Sequence, residues 1–346
     1  MIFNNDFPAL KSCTYFNTAY VGLMSQSLYD FRTDFEQNYL LNGDQYIIEA
    51  YEQLDITHAT IAQFVGSKKE QTYFVSNFSV GVRYVLDTLK KGSNILCIKD
   101  DYHSLIDATV ERDFNLFYLT MEERLEDKID HALAQNKFDV FVISIVQYTN
   151  GLKIDFDFLD NLRNQYPKLL IIGDATQFIG TDHFDFSTSP FDAVVCSGYK
   201  WLLAGFGNGF VTLSDRFFEL TDTKEETFYQ KVFSGHFNIL GAASLVFAIN
   251  YLTAHDFGQL VKKNKILSNT LRKELLNLGW IPKFHQRTSQ SSILSIASEE
   301  KVLKSLEAFN VRAAYRGKYL CFSIHFYNTK KEIDQLINII KELYHI

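Results

Sequence analysis

Leu169-Leu170-Ile171-Ile172-Gly173-Asp174-Ala175-Thr176-Gln177 opens as an uncharged apolar run and turns polar at Asp174. A run this short, stopped by a glycine and a carboxylate, reads as a strand buried on both faces whose end opens on a crevice. Downstream, Ala193–Cys196 repeats the pattern. It leads into Ser197-Gly198-Tyr199-Lys200-Trp201-Leu202-Leu203 and then the glycine run Gly205-Phe206-Gly207-Asn208-Gly209. Outward from these two, Thr72–Val75, Ile95–Ile98, Leu116–Leu119, Val140–Ser144 and Phe210–Leu213 are further strand candidates. Segments with helical spacing, such as Ser79–Leu89 and Phe156–Tyr166, separate them. Alternation of this kind predicts an α/β domain with a seven-stranded, mainly parallel, doubly wound sheet.

Ahead of this region, Leu28, Phe31, Phe35 and Tyr39 fall on one face of a helix, and Ile47, Tyr51, Leu54 and Ile61 on one face of the next. Behind it, Leu240–Ala254 and Leu260–Leu278 read as long helices. The strands Ser292–Ile296 and Tyr319–His325 then alternate with helices Ser298–Phe309 and Lys330–Tyr344. That change of pattern predicts a large domain over 1–257, including the N-terminal segment, and a smaller α+β domain over 258–346.

The 346 residues are 47% hydrophobic, enough for a sizeable core, and carry a net charge of −7. An acidic chain offers no basic field, so nucleic acid and anionic membranes are not expected partners. No segment approaches the roughly 18 consecutive apolar residues of a membrane span, and Met1–Pro8 has no basic start or apolar run. The four cysteines, Cys13, Cys97, Cys196 and Cys321, are widely spaced. They read as reduced thiols, with no metal site. A cytoplasmic protein is expected.

Ligands of an open α/β sheet sit beyond the carboxyl ends of its strands. Asp174 and Lys200 lie just past two such ends, and Ser79 and Tyr102 past two others. A lysine facing a carboxylate across one crevice suits pyridoxal phosphate. The amine condenses with the cofactor aldehyde, and the carboxylate keeps the ring nitrogen protonated so that the ring accepts electrons. Simpler readings stand beside this one. Asp174 and Ser79 could each cap a helix. His236 and His325 could be ordinary polar residues, and the glycine run lacks the Lys-Ser/Thr ending of a P-loop.

Gly173-Asp174-Ala175-Thr176-Gln177, Ser197-Gly198-Tyr199-Lys200-Trp201-Leu202 and Gly205–Phe210, taken together and in this order, resemble the class V aminotransferases. These are fold type I pyridoxal-phosphate enzymes that include cysteine desulfurases, kynureninase and isopenicillin N epimerase-like proteins. Tyr15-Phe16-Asn17-Thr18-Ala19 and Tyr327-Asn328-Thr329-Lys330-Lys331-Glu332-Ile333-Asp334 extend the resemblance over nearly the whole chain.

The resemblance implies that Lys200 is the Schiff-base lysine and proton carrier and that Asp174 pairs with the ring nitrogen. By the same resemblance, Gln177 bonds the ring oxygen, and Ser197 and Tyr199 stand at phosphate-binding positions. Ser76-Asn77-Phe78-Ser79 resembles the phosphate loop at a helix start, where backbone N–H groups suit a dianion. Tyr102 occupies the stacking position, with His103 as a competitor. Gln147 or Asn150 would lie near a cofactor oxygen. Gly235-His236 stands where the family often has Gly-Thr reaching a neighbouring subunit's phosphate, which implies a homodimer with sites at the interface.

Where the family carries a carboxylate-clamping arginine, this chain has Cys321. Arg316, Arg312 and His325 are the candidates to replace it, and Asn17 is a further candidate on the substrate side. Cysteine-based desulfurases need a thiol on a mobile loop, but Val311–Lys318 is short and has none. Transamination of a small amino acid or amine is therefore the first expectation. A lyase or epimerase of the isopenicillin N epimerase, desulfurase or selenocysteine lyase kind is the alternative. A non-catalytic binding protein on this fold is a third reading, against which the intact Lys200 and Asp174 argue.

Overall fold

The computed structural model describes residues 3–121 and 124–344, apart from the side chains of residues 4 and 47–50, so Ile47's place on its helix face lies outside the described residues. In chain order the strands are β1 (Thr14–Tyr15), β2 (Thr72–Val75), β3 (Asn94–Ile98), β4 (Asn115–Leu119), β5 (Val140–Ser144) and β6 (Leu170–Asp174). Then come β7 (Ala193–Ser197), β8 (Gly209–Leu213), β9 (Ile293–Ala297), β10 (Val311–Arg312), β11 (Ala314–Arg316) and β12 (Tyr319–Ser323).

Seven of these form one sheet in the order β2-β8-β7-β6-β5-β3-β4. Only β8 runs against its neighbours. Side chains alternate across the sheet, as a period of two demands. Phe74, Leu96, Phe141, Ile171, Val194 and Phe210 enter one apolar layer, while Tyr73, Ile95, Val140, Ile172, Val195 and Val211 enter the other. Both faces are therefore buried, which is why these strands read as continuous apolar runs.

Helix starts follow local chemistry. Asn77 Oδ1 accepts from the Val80 N–H at the head of the helix Phe78–Leu86, and Thr329 and Glu332 form a reciprocal capping box at the head of Lys330–Leu343. A second sheet, β11-β12-β9, is antiparallel and packs with the C-terminal helices around Leu294, Leu306, Phe322, Ile333 and Ile337. The helices Ile239–Ala254 and Phe257–Asn277 are divided at Asp256, whose backbone is left-handed at φ 56°.

The N-terminal segment, grouped on sequence with residues 1–257, has its strand beside the C-terminal part of the chain. β1 pairs with β10, and Phe16 enters the C-terminal core. The two end motifs meet there. Asn328 Nδ2 donates to Tyr15 O at 2.9 Å, Ser323 Oγ to Phe16 O at 3.0 Å, and the Tyr327 hydroxyl bonds Thr18 Oγ1. The helix Gln26–Asn42 keeps its aromatic face only partly covered. Phe31 stacks on Phe247, but Tyr39, Leu40 and Leu41 are exposed.

Candidate active site

β6 and β7 are parallel neighbours, so their carboxyl ends present Asp174 and the Ser197–Lys200 turn side by side. With Asn77, Phe78 and Ser79 from the β2 end, Tyr102 from the β3 end and Ser144 and Tyr148 from the β5 end, they line a cavity of ≈ 250 Å³. Thr176, Gln177 and Phe206 complete the wall.

Lys200 is only 7% exposed. Burial pushes its amine well below the usual range, Asp174 opposes that shift, and Arg316 adds to it. Asp174 is shifted the other way. Burial raises its carboxyl, while the Thr176 hydrogen bonds and Lys200 pull it back. Each group thus feels the other's charge, but among the described residues neither has an ion-pair partner within 4.0 Å, and burial prevails for both. A ring carrying an aldehyde toward Lys200 and a protonated nitrogen toward Asp174 meets both needs. The residues present fit pyridoxal phosphate.

The remaining wall fits it too. The first N–H groups of a helix have no partner within the helix. Here Phe78's goes to Ser197 Oγ at 2.8 Å and Val80's to Asn77 Oδ1 at 3.0 Å. Ser79, whose hydroxyl accepts from Ser104 at 2.6 Å, remains on the wall to receive a phosphate with the helix dipole. Tyr102 lies on the wall with Lys200 Nζ 5.6 Å from its ring centroid, whereas His103 is exposed. Tyr199 stacks on Phe206 with centroids 5.1 Å apart.

Gln177 is held at both ends of its amide. It accepts from Trp201 Nε1 at 2.9 Å and donates to Ala19 O at 2.9 Å, leaving one amide hydrogen for a ligand. Gln147 is not on the wall. Its Nε2 donates to Asp101 Oδ2 at 3.1 Å, beneath the cavity, and Asn150 turns instead to Leu152 N and Met121 Sδ. Asp101 was not singled out from the sequence. It is fully buried, and it accepts from Tyr102 N, Ser144 N and Ser144 Oγ. This carboxylate therefore holds the Tyr102 backbone and the β5 end in place. The only signal was its position next to Tyr102.

The substrate-side candidates separate clearly. Arg316 is half-buried and does not line the cavity, but it lies close enough to Lys200, Tyr199 and Tyr148 for its charge to reach all three, and its Nη1 donates to Tyr148 O at 2.5 Å. Among the described residues it has no carboxylate partner within 4.0 Å. Burial lowers its guanidinium. Arg312 is exposed on β10. His325 is buried behind the lysine turn, where its ring bonds Trp201 O at 3.1 Å and burial lowers it to about 3, so it supports that turn as a neutral group. Asn17 bridges to Ser323 beside β12. Gly235 and His236 lie away from the Lys200 cavity. His236 lines a different one with Tyr39, Tyr46 and Tyr51.

Cys321 is buried, its thiol pushed up to about 11 and donated to Thr149 O at 3.2 Å. None of the four cysteines lines the cavity.

One glycine is required by close approach. Gly22 N donates to Tyr199 O at 2.9 Å, and a Cβ there would stand 2.0 Å from Lys200 O. Gly22→Ala should therefore cost about 1–3 kcal/mol, as overpacking does, and should loosen the lysine turn. Reduced cofactor content in the purified variant, read at the visible band, checks this.

The sequence model of the aminotransferase class-V family matches residues 25–336. A probable cysteine desulfurase of Borreliella burgdorferi is 22% identical, over 98% of this chain and 96% of its own. Among solved structures, a cysteine desulfurase from Thermococcus onnurineus superposes with a TM-score of 0.82 at 17% identity, covering 99% of this chain and 97% of that one. The cystine C-S lyase C-DES, in complex with cysteine persulfide, gives 0.85 at 15% identity, with 96% and 98% covered. A C-DES variant with glycine covalently linked to its pyridoxal phosphate gives 0.87 at 14% identity, with 97% and 98% covered. The family match spans most of the chain, so this protein is a pyridoxal-phosphate enzyme of the class V aminotransferase family.

Proposed function

We propose that the chain is a carbon–sulfur lyase acting on a small sulfur amino acid such as cystine or cysteine, without a protein thiol as nucleophile. The observation that carries the reading is a half-buried arginine free of carboxylate partners among the described residues, Arg316, bonded to Tyr148 on the wall of the Lys200 cavity, which no cysteine lines. The desulfurase and cystine lyase similarities support the lyase alternative over the transamination first expected from the sequence.

When bound, the cofactor supplies an electron sink that weakens bonds at the substrate's α-carbon. Arg316 binds the substrate carboxylate, two donors to two oxygens. Lys200 Nζ, its amine lowered by burial to about 8, removes the α-proton. The Cβ–S bond then breaks with its electron pair on sulfur, and Lys200 returns the proton to the departing sulfur. With one water consumed, cystine yields cysteine persulfide, pyruvate and ammonia. Tyr102, Tyr199 and Phe206 wall the site and exclude other water.

The exposed apolar side chains of Tyr29, Leu40, Leu41, Tyr51 and Phe206 support a homodimer that covers this face. In such a dimer Gly235-His236 is free to reach the partner's site. No helix of the described residues is long and apolar enough to cross a membrane.

The wild type should absorb near roughly 410–430 nm, the band of lysine-bound cofactor, and should release pyruvate from cystine. Lys200→Ala should lose the band and at least about 1000-fold in kcat. Bleaching of the band by an amino donor, with no pyruvate released, would instead select transamination. A colourless wild type would remove the cofactor reading altogether.

A further inference from the structure

A second cavity, of ≈ 450 Å³, opens where Lys153, Phe156, Phe178 and Asp182 face the helix Phe257–Asn277 and residues 288–292. Its charges are unevenly matched. Asp182 is shared, with Lys265 Nζ at 2.6 Å and Lys153 Nζ at 3.8 Å. Lys153 is mostly buried, its amine 4.7 Å from the Phe178 ring centroid and 5.3 Å from that of Phe156.

Arg272 is 7% exposed and has no carboxylate within 4.0 Å among the described residues. Its Nη2 donates to Ser291 O at 3.0 Å and its Nη1 to Asn269 Oδ1. Its Nε meets no acceptor, and neither does the hydroxyl of Ser268, which is 3% exposed on the same wall. The other carboxylates here are committed or outside. Asp155 accepts the Asp157 and Phe158 N–H groups as a helix cap, and Asp157 is exposed. Burial lowers both Lys153 and Arg272, the mark of cations short of an anion. A buried guanidinium without a counter-charge is costly, and an oxyanion bonded to it removes that cost.

We propose that this cavity binds a small oxyanion of phosphate size, held by Arg272, Lys153 and the Ser268 hydroxyl, with Lys265 at the exposed rim. The site is separate from the Lys200 cavity, and none of its residues lines that one. Its walls come from the Phe178 segment just after Gln177 on one side and from the C-terminal part of the chain on the other. An anion there ties the two together.

The test uses the cofactor-loaded protein, so that the phosphate position of the Lys200 cavity is already filled. Inorganic phosphate is titrated by calorimetry at constant ionic strength, with sulfate as a second oxyanion and chloride as the control. Saturable binding of phosphate is expected, with a matching rise in Tm. Arg272→Met and Lys265→Met should each weaken it by about tenfold or more. Absence of saturable heat in the wild type, or a chloride response equal to that of phosphate, overturns the proposal. Should Arg272→Met fail to fold, the exposed Lys265→Met decides, and unchanged affinity there overturns it as well.

Discussion

Arg316→Met is expected to lower kcat/KM for cystine by about 100-fold or more, mostly through KM, with the visible band unchanged. Truncating one partner of a buried charge pair costs ~2–5 kcal/mol, and here the lost partner would meet the substrate carboxylate. Arg316→Lys should recover little, because a point charge does not reproduce the two-donor fork. The register supplies a sharper check. Ala314 stands opposite Cys321, and Arg316 is two residues from Ala314, so all three share one face of the β11–β12 pair. Restoring an arginine on β12, as Cys321→Arg in the Arg316→Met background, should recover part of KM. Cysteamine, which has no carboxylate, should be equally poor with wild type and variant. A KM for cystine that ignores Arg316 would remove the clamp, and a cysteamine rate that falls in parallel would reveal general damage to the site.

The second large effect concerns acid stability. His58, His285 and His325 are buried, and burial lowers them to about 4, 3 and 3. His58 Nε2 accepts from Phe74 N at 3.1 Å and His285 Nε2 from Ser295 N at 3.0 Å, bonds that a protonated ring cannot make. The folded pKa lies below the unfolded value near 6.5, so each ring's contribution is intact above pH 6.5 and is lost as pH falls toward 4. Linkage puts the loss at about 2 kcal/mol per histidine at pH 5, and about 6 kcal/mol together, on the scale of a whole domain's stability. Asp174 and Asp101, both raised by burial, work in the opposite direction over part of this range. The test is therefore differential. A glutamine at any one of the three positions should shrink the stability difference between pH 8 and pH 5 by about 2 kcal/mol, measured by urea unfolding of cofactor-loaded protein. Parallel pH curves for wild type and all three variants would show that these rings do not set it.

Much of the fold was legible because its cause is local. Strands buried on both faces read as apolar runs, and all of the central seven lie within one residue of their expected bounds at each end. The crossover helices His103–Val110 and Leu125–Gln135 were less visible, because their apolar faces are short and interrupted by charge. The N-terminal aromatic stripe was legible as a helix face, but its destination was not. Phe31 and Phe35 are half-buried and Tyr39 is exposed, since periodicity identifies a face and not what covers it.

The site divides in the same way. Lys200, Asp174, Gln177, Ser197, Tyr199, Asn77, Phe78, Ser79 and Tyr102 stand in short motifs at strand ends, and the sheet brings all of them to one cavity. Gln147 and His325 stand in equally suggestive stretches, but Gln147 Nε2 is bonded to Asp101 and His325 Nε2 to Trp201 O, and neither residue lines the cavity.

By itself the sequence determined the sheet, the cofactor and the lysine–carboxylate pair, because each depends on residues close along the chain or on a repeated local pattern. Only the tertiary structure decided which arginine lies beside the cavity wall and that no thiol lines it. Arg316 reaches the site through the pairing of β11 with β12 and their packing against the β5 end. That contact joins Arg316 to Tyr148 across 168 positions of sequence, and no local pattern encodes it.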